Sequence, residues 1–497
     1  MTIYVMEELW IVAISINNQK TVTNQGRPLF GAPTLIEFRV AGRDGAQTRN
    51  VRRAFAGQGD GVMTLAVLQA PQNNQLLFVM QRGMRRPNIE PIFKPEVLPP
   101  GVTVLDRSHY GPGLSGIEIE GAAGRIERGE AVAAAMQREA LEEIGITEAD
   151  QTAFFIGQPT YPDPSHYLEK HCYGILAVRR KDVGGLRPAG EGSANEQGLV
   201  PFATNLSGLI RIQKESHMPI HHFLLPALRL WAALSGQINI DWHREESINL
   251  PRTNNLGVNF KELLIDERLE TDGGDGLAVR YFRHALAYQR GEEGMSPFPA
   301  MLSFPLGGVN SLGLFVTFID GQGVRQTIIP DPEEQLVFYA RGLNSERLVA
   351  KGLVLDGVRE TSNFATGINC RLTAEEIGEL NEGRVTLEAV AQERVEALIG
   401  RSAASTAKIS RQLGPSFATP GISAETVFPV TVEVDASRIN LATGYQAIPL
   451  EEAFGKIRNG QLVDMAWETI ALHYLFSRGL RAPEYLFFDR KGFLGQI

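Results

Sequence analysis

The stretch GRIERGEAVAAAMQREALEEIGI, residues 124–146, places Glu139, Glu142 and Glu143 close together behind a run of alanines. Read as a helix over 131–144, the three carboxylates fall at i, i+3 and i+4, on one side. Like charges at that spacing repel, so the arrangement is destabilising unless a cation sits among them. Alanines at 131, 133, 134 and 135 let such a helix lie close against a sheet. Gly124 and Gly129 allow a tight loop before it, and Gly145 supplies its stop. A rigid loop and helix presenting clustered hard oxygen ligands suits Mg2+ or Mn2+.

The spacing resembles the Nudix box, G-x5-E-x7-R-E-U-x-E-E-x-G-U with U aliphatic. Gly124, Glu130, Arg138, Glu139, Glu142, Glu143 and Gly145 occupy the fixed positions, with Ala140 and Ile146 at the U sites. The resemblance implies an α/β/α sandwich around a mixed sheet. It makes Glu139 and Glu143 the principal metal ligands, with Glu142 joining an additional metal and serving catalysis. Arg138 and Glu130 become an ion pair that orients the cluster. The implied reaction is metal-assisted hydrolysis of a nucleoside diphosphate linked to another moiety.

Two flanking segments resemble the ADP-ribose and nucleotide-sugar pyrophosphatases within that family. In EIEGAAG, Glu120, Ala123 and Gly124 fit the group's E-x-P-A-G, with Ala122 in place of proline. The resemblance implies a metal-binding carbonyl at Ala123 and a substrate role for Glu120. After the box, YPDPSHYLEK places Tyr161, Pro162, Pro164 and Glu169 on a Y-P-S-P-G-x-x-x-E pattern, with Ser165 in place of glycine. Glu169 then stands where the group has a loop glutamate that orients or deprotonates water. Glu196 falls on an acidic segment of the same group. Gln81 matches part of a Q-x-R pattern, but Gly83 holds the arginine position, leaving Arg82, Arg85 or Arg86 to meet phosphate.

The remaining chain bounds this reading. At 497 residues it is too long for one core. A net charge of −9 and the lack of a dense basic run argue against nucleic acid. No apolar run approaches a membrane span, and Glu7 and Glu8 argue against a secretory signal, so the expectation is a cytoplasmic protein. Cys172 and Cys370 form no metal or redox spacing. His217, His221 and His222 lack accompanying ligands, GGVNSLG (307–313) reads as a turn, and no G-x-S-x-G elbow occurs.

Alternation predicts strands in 34–55 turning at Arg43-Asp44-Gly45, and a hairpin in 62–82 around Gln72-Asn73-Asn74. A helix is expected in 219–236, with Pro226 as a kink or true start. The C-terminal half then repeats the plan. FATPGISAETVFPVTVEV aligns without gaps on 161–178, pairing Pro420 with Pro164 and Glu425 with Glu169. LEAVAQERVEALIG holds the place of the box helix, but Arg394, Ala397 and Leu398 replace the three glutamates. Three segments in the same order imply tandem copies, the second degenerate.

The sequence therefore predicts N-terminal strands over 1–60 packing on the Nudix fold, a catalytic domain over 61–240 and a degenerate copy over 241–497. The expected activity converts ADP-ribose or a nucleotide sugar to a nucleoside monophosphate and a sugar phosphate. The expected assembly is an intramolecular pseudo-dimer or a homodimer. The competing expectation is a non-catalytic nucleotide-sugar sensor.

Overall fold

The computed structural model describes, with short interruptions, residues 60–68, 75–156, 171–189, 199–252, 309–331 and 367–484. It also describes Thr160, Phe493 and the backbone of strands between 16 and 55 and between 259 and 305. In the N-terminal part, β1 (Ile16–Thr21), β4 (Thr34–Ala41) and β5 (Thr48–Phe55) form an antiparallel sheet, and β2 (Thr23–Asn24) pairs with β3 (Arg27–Pro28). The turns expected at 43–45 and 72–74 lie outside the described residues.

The next unit is a sheet of seven described strands. They are β6 (Gly61–Leu68), β7 (Phe78–Arg85), β8 (Ile117–Glu120), β9 (Ala122–Arg125), β10 (Gln151–Ile156), β11 (His171–Val178) and β12 (Val200–Thr204). Their order is β10-β11-β6-β7-β12, with β8 added to β7 and β9 to β6; only β6 and β11 run parallel. A short turn, α1 (Glu90–Phe93), lies between β7 and β8, and α2 (Val132–Ile144) follows β9. The closing helices are α3 (Leu206–Lys214) and α4 (Leu225–Leu234). Pro226 sits in the first turn of α4, where its missing N–H costs nothing, so it marks a start and not a kink.

Side-chain alternation sorts this sheet into two faces. Ala66, Leu68, Leu176 and Val178 meet Ala140 and Ile144 of α2. Met63, Leu65, Val67, Tyr173, Ile175 and Ala177 point the other way, into a core that includes α4.

The second half opens with β13 (Asn259–Leu264), β14 (Phe282–Gly291), β15 (Gly294–Met295) and β16 (Ala300–Pro305), a four-stranded sheet. A second sheet of seven described strands follows: β17 (Asn310–Ile319), β18 (Arg325–Pro330), β19 (Ile368–Arg371), β20 (Lys408–Ser410), β21 (Ser416–Phe417), β22 (Thr426–Val434) and β23 (Tyr445–Pro449). Its order is β20-β22-β17-β18-β23, with β19 on β17 and β21 on β22, and again one central parallel pair. Its helices are α5 (Ala374–Asn381), α6 (Leu387–Ile399), α7 (Arg401–Ala404), α8 (Leu450–Arg458) and α9 (Met465–Ser477). GGVNSLG, expected to turn, instead enters a strand at Asn310. Alternating Leu312, Leu314 and Val316 are buried and outweigh the two glycines before them.

The two sheets share register as well as order. Gly61 pairs with His171 on one side and Arg125 on the other; Ser311 pairs with Val427 and Arg371 in the same way. By these rows Arg125 and Arg371 take the same register position, as do Gly124 and Cys370. Glu169, paired with Glu425 by sequence, lies outside the described residues.

The two halves meet through their last helices. Arg229 of α4 donates two bonds to Glu468 of α9, at 2.7 and 2.6 Å, with both side chains buried. Arg229 also lies 5.7 Å from the Tyr173 ring centre, and the Tyr173 hydroxyl donates to Met465 Sδ. Trp231 packs edge-on to Phe476, and Gln213 exchanges two hydrogen bonds with the Gly414 backbone. No described helix is long and apolar enough to cross a membrane.

Removing one partner of a buried pair strands the other charge. Arg229→Ala should therefore cost about 3–5 kcal/mol in urea unfolding, and the Arg229→Met, Glu468→Leu double variant should recover most of it. A loss below about 1 kcal/mol in the single variant would show that this contact does not hold the halves together.

Candidate active site

Helix α2 is held by its ends and by one strand. Gly129 takes φ +81° before it, and Gly145 takes φ +75° as its left-handed cap, donating to the Leu141 carbonyl. A Cβ at Gly145 would come within 2.4 Å of the Arg187 backbone, so no other residue fits. Thr64 Oγ1 of β6 donates to the Met136 carbonyl at 3.1 Å and ties the helix to the sheet.

The buried face of α2 contains Ala135, Met136, Ala140 and Ile144, and with them Glu139 and Glu143. Glu143 Oε2 accepts the Ala123 N–H at 2.7 Å. Glu139 faces Gly124, where an added Cβ would fall 2.0 Å from Glu139 Oε1. Gly124 therefore serves by leaving space in strand β9, not by turning a loop as its place in the motif predicts.

Arg138 stands among the acids. Its Nε and Nη2 bond the Glu130 carboxylate at 3.0 and 3.2 Å, and Nη2 also donates to the Arg125 carbonyl. Its Nη1 reaches Glu139 at 2.6 Å and Glu142 at 3.0 Å. The guanidinium holds Glu130 below the usual carboxylate range, and Glu130 in turn raises Arg138. The expected Arg138–Glu130 pair is thus present, and it extends to two of the expected ligands.

On the same face of the sheet as α2, Gln81 Nε2 donates to Glu120 Oε1 at 3.0 Å. Glu118 lies two residues earlier on β8, fully buried on that same side. Sequence reasoning singled out Glu120 and passed over Glu118, although the alternation in GIEIEG carries the signal. Arg82 takes the opposite face of β7 and donates to the Pro251 carbonyl, away from the carboxylates. The Arg85 backbone lies in β7. Its side chain and residues Arg86, Glu169, Glu196, His221 and His222 lie outside the described residues. His217 pairs with Glu215 at 2.9 Å, a local contact at the end of α3.

Among the described residues, no three carboxylate, imidazole or thiol groups converge into a ready cation site. The donors around Gly124 nevertheless suit a hard divalent cation. They are the carboxylates of Glu139, Glu142 and Glu143 and the carbonyl of Ala123, beside a backbone position that a methyl group would fill.

The place at the same register in the second sheet is different. Leu398 is buried, and Arg394 pairs with Glu376. Arg371 binds Glu425 at 2.6 Å. Cys370 replaces Gly124, and burial pushes its thiol up to about 11. Asn369, the counterpart of Ala123, donates to Asp464.

Residues 97–205 match the family model described as the NUDIX domain. This segment contains β8 to β12 and α2, and the mixed sheet between helices agrees with that fold. Comparison with curated proteins returns no match. Among solved structures, one similar chain is a crystal structure of an ADP compounds hydrolase. It is 15% identical, with a TM-score of 0.29, over 46% of this chain and 99% of that one.

Gly124→Ala should lower Mn2+ affinity by roughly 10- to 100-fold, because Glu139 must swing out of its place. Titration followed by electron paramagnetic resonance checks this. Unchanged affinity would mean that Glu139 is not a ligand.

Proposed function

We propose that this chain hydrolyses the pyrophosphate bond of a nucleoside diphosphate joined to another moiety, using Mg2+ or Mn2+. ADP-ribose is the first substrate and a nucleotide sugar the second, with a nucleoside monophosphate and a sugar phosphate as products. The observation that carries this reading is the burial of Glu139 and Glu143 against the Ala123-Gly124 backbone, within the segment matching the NUDIX domain.

Glu139, Glu142, Glu143 and the Ala123 carbonyl would hold the cations. When bound, these neutralise the pyrophosphate and lower the pKa of the attacking water. The chain's own residues do the rest. The Ala123 N–H fixes one Glu143 oxygen. Arg138, anchored by Glu130 and the Arg125 carbonyl, sets the spacing of Glu139 and Glu142. Glu120, held by Gln81, is placed to bind substrate. Arg85 remains a phosphate-binding candidate, while Arg82 would first have to release Pro251.

Glu169 takes the role of orienting the water or accepting its proton. The second copy supports this placement, since its counterpart Glu425 reaches Arg371, the counterpart of Arg125 beside Gly124. In the second half a glutamate at this point lies at the end of β19.

The second half is a degenerate Nudix copy. Arginine and leucine at ligand positions abolish its affinity for cations, and the fused pair makes an intramolecular pseudo-dimer. The assay is incubation with ADP-ribose and Mg2+, with AMP as the expected product. Glu143→Gln should lower turnover by at least about 100-fold while leaving the unfolding midpoint in place, because the change keeps volume and removes a ligand charge. Tight nucleotide binding without turnover across a panel of nucleoside diphosphates would instead establish a sensor.

A further inference from the structure

Residues 101–115, leading from β7 towards β8, lie against the second copy and are gripped there by two asparagines. Asn310, the first residue of β17, accepts the Leu105 N–H at 2.9 Å and donates to the Tyr110 hydroxyl at 2.7 Å. Asn381, the last residue of α5, accepts the Asp106 N–H at 2.8 Å and donates to the Val104 carbonyl at 3.1 Å. Tyr110 is fully buried, parallel to Phe417 at 6.0 Å and edge-on to Phe428 at 5.4 Å, and its hydroxyl also bonds Thr426. Both asparagines use donor and acceptor together, Asn381 on backbone alone and Asn310 on one backbone N–H and the Tyr110 hydroxyl, so each reads a shape and not merely a charge.

The place of the grip is informative. Asn310 and Thr426 pair at the end of the second sheet, next to Glu425. The first sheet carries Gly61, Arg125 and His171 at the same end. The first copy's own segment therefore packs at the second copy's counterpart of the catalytic end. Asn381 belongs to residues 372–386, a longer connection than residues 126–131 at the same point of the first copy. The extra length forms α5, begun by a Thr373–Glu376 capping box, and delivers Asn381 at its end.

The gripped segment runs on into β8, which carries Glu118 and Glu120. This strand has four residues, pairs among the described strands only with β7, and does so across a register shift between Arg82 and Arg85. A short strand paired on one side holds its place weakly. Further along, Gly113 donates to the Glu215 carbonyl and Arg107 to the Leu114 carbonyl, so the grip passes through a stiff path.

We propose that Asn310 and Asn381 of the degenerate copy are positioning residues for the catalytic copy. Through residues 101–115 they set β8, and with it the Glu120–Gln81 pair that meets substrate. The claim about substrate rests on the hydrolase reading; the claim about β8 does not.

The test uses the full chain with Asn381→Ala, at a half-buried helix end, and Tyr110→Phe as a second variant. Hydrogen exchange of residues 117–120 should quicken roughly 5- to 30-fold in Asn381→Ala, the weight of two hydrogen bonds. Exchange in β11 should hold steady. With ADP-ribose, KM should rise several-fold in both variants while kcat changes less than about twofold, a split that general destabilisation would not produce. Unchanged exchange at 117–120 in both variants overturns the grip. Faster exchange with unchanged KM overturns positioning. A wild-type chain that hydrolyses no nucleotide removes the hydrolase reading, and the exchange arm still decides whether the second copy sets β8.

Discussion

A carboxylate is tolerated inside a protein only when something positive or proton-donating meets it, and Glu139 and Glu143 are 7% and 2% exposed. That requirement organises the first copy. Alanines bring α2 close to the sheet, Gly124 leaves room for the Glu139 carboxylate, and the Ala123 N–H answers one oxygen of Glu143. Arg138 supplies one positive charge to Glu130, Glu139 and Glu142 together. On the proposed reading, a divalent cation would add positive charge beside these carboxylates.

The second half has a sheet of the same strand order, without that requirement. Where α2 carries Glu139 and Glu143, α6 carries Arg394 and buried Leu398, and Cys370 fills the space that Gly124 keeps open. Arg371 meets Glu425 one to one, and Arg394 meets Glu376 likewise. The sheet, its central parallel pair and its closing helices persist, because they depend on apolar alternation and not on the acids. This half packs against the first through Arg229–Glu468 at the closing helices and through Asn310 and Asn381 at the far end.

Local spacing made much of this legible. The box helix, its Gly145 cap, the strand pairs and the closing helices all declare themselves through periodicity within about twenty residues. The shared strand order of the two sheets, each with one central parallel pair, follows the sequence likeness between 161–178 and 417–434. Other features were not. Arg82 differs from Gln81 by one residue and so lies on the opposite face, a fact that depends on which face the helix chose. Asn310, in a segment that reads as a turn, bonds Leu105 across a separation no local pattern reports. Gly124 matched its motif for one reason and is needed for another, because only the folded helix shows what it faces.

The central claim is that one acidic turn gathers divalent cations and its counterpart does not. Anomalous diffraction from a crystal soaked in Mn2+ tests it directly. The account requires density between Glu139, Glu143 and the Ala123 carbonyl, and none beside Arg394 and Cys370. An empty first site, or an ion in the second copy, would contradict it.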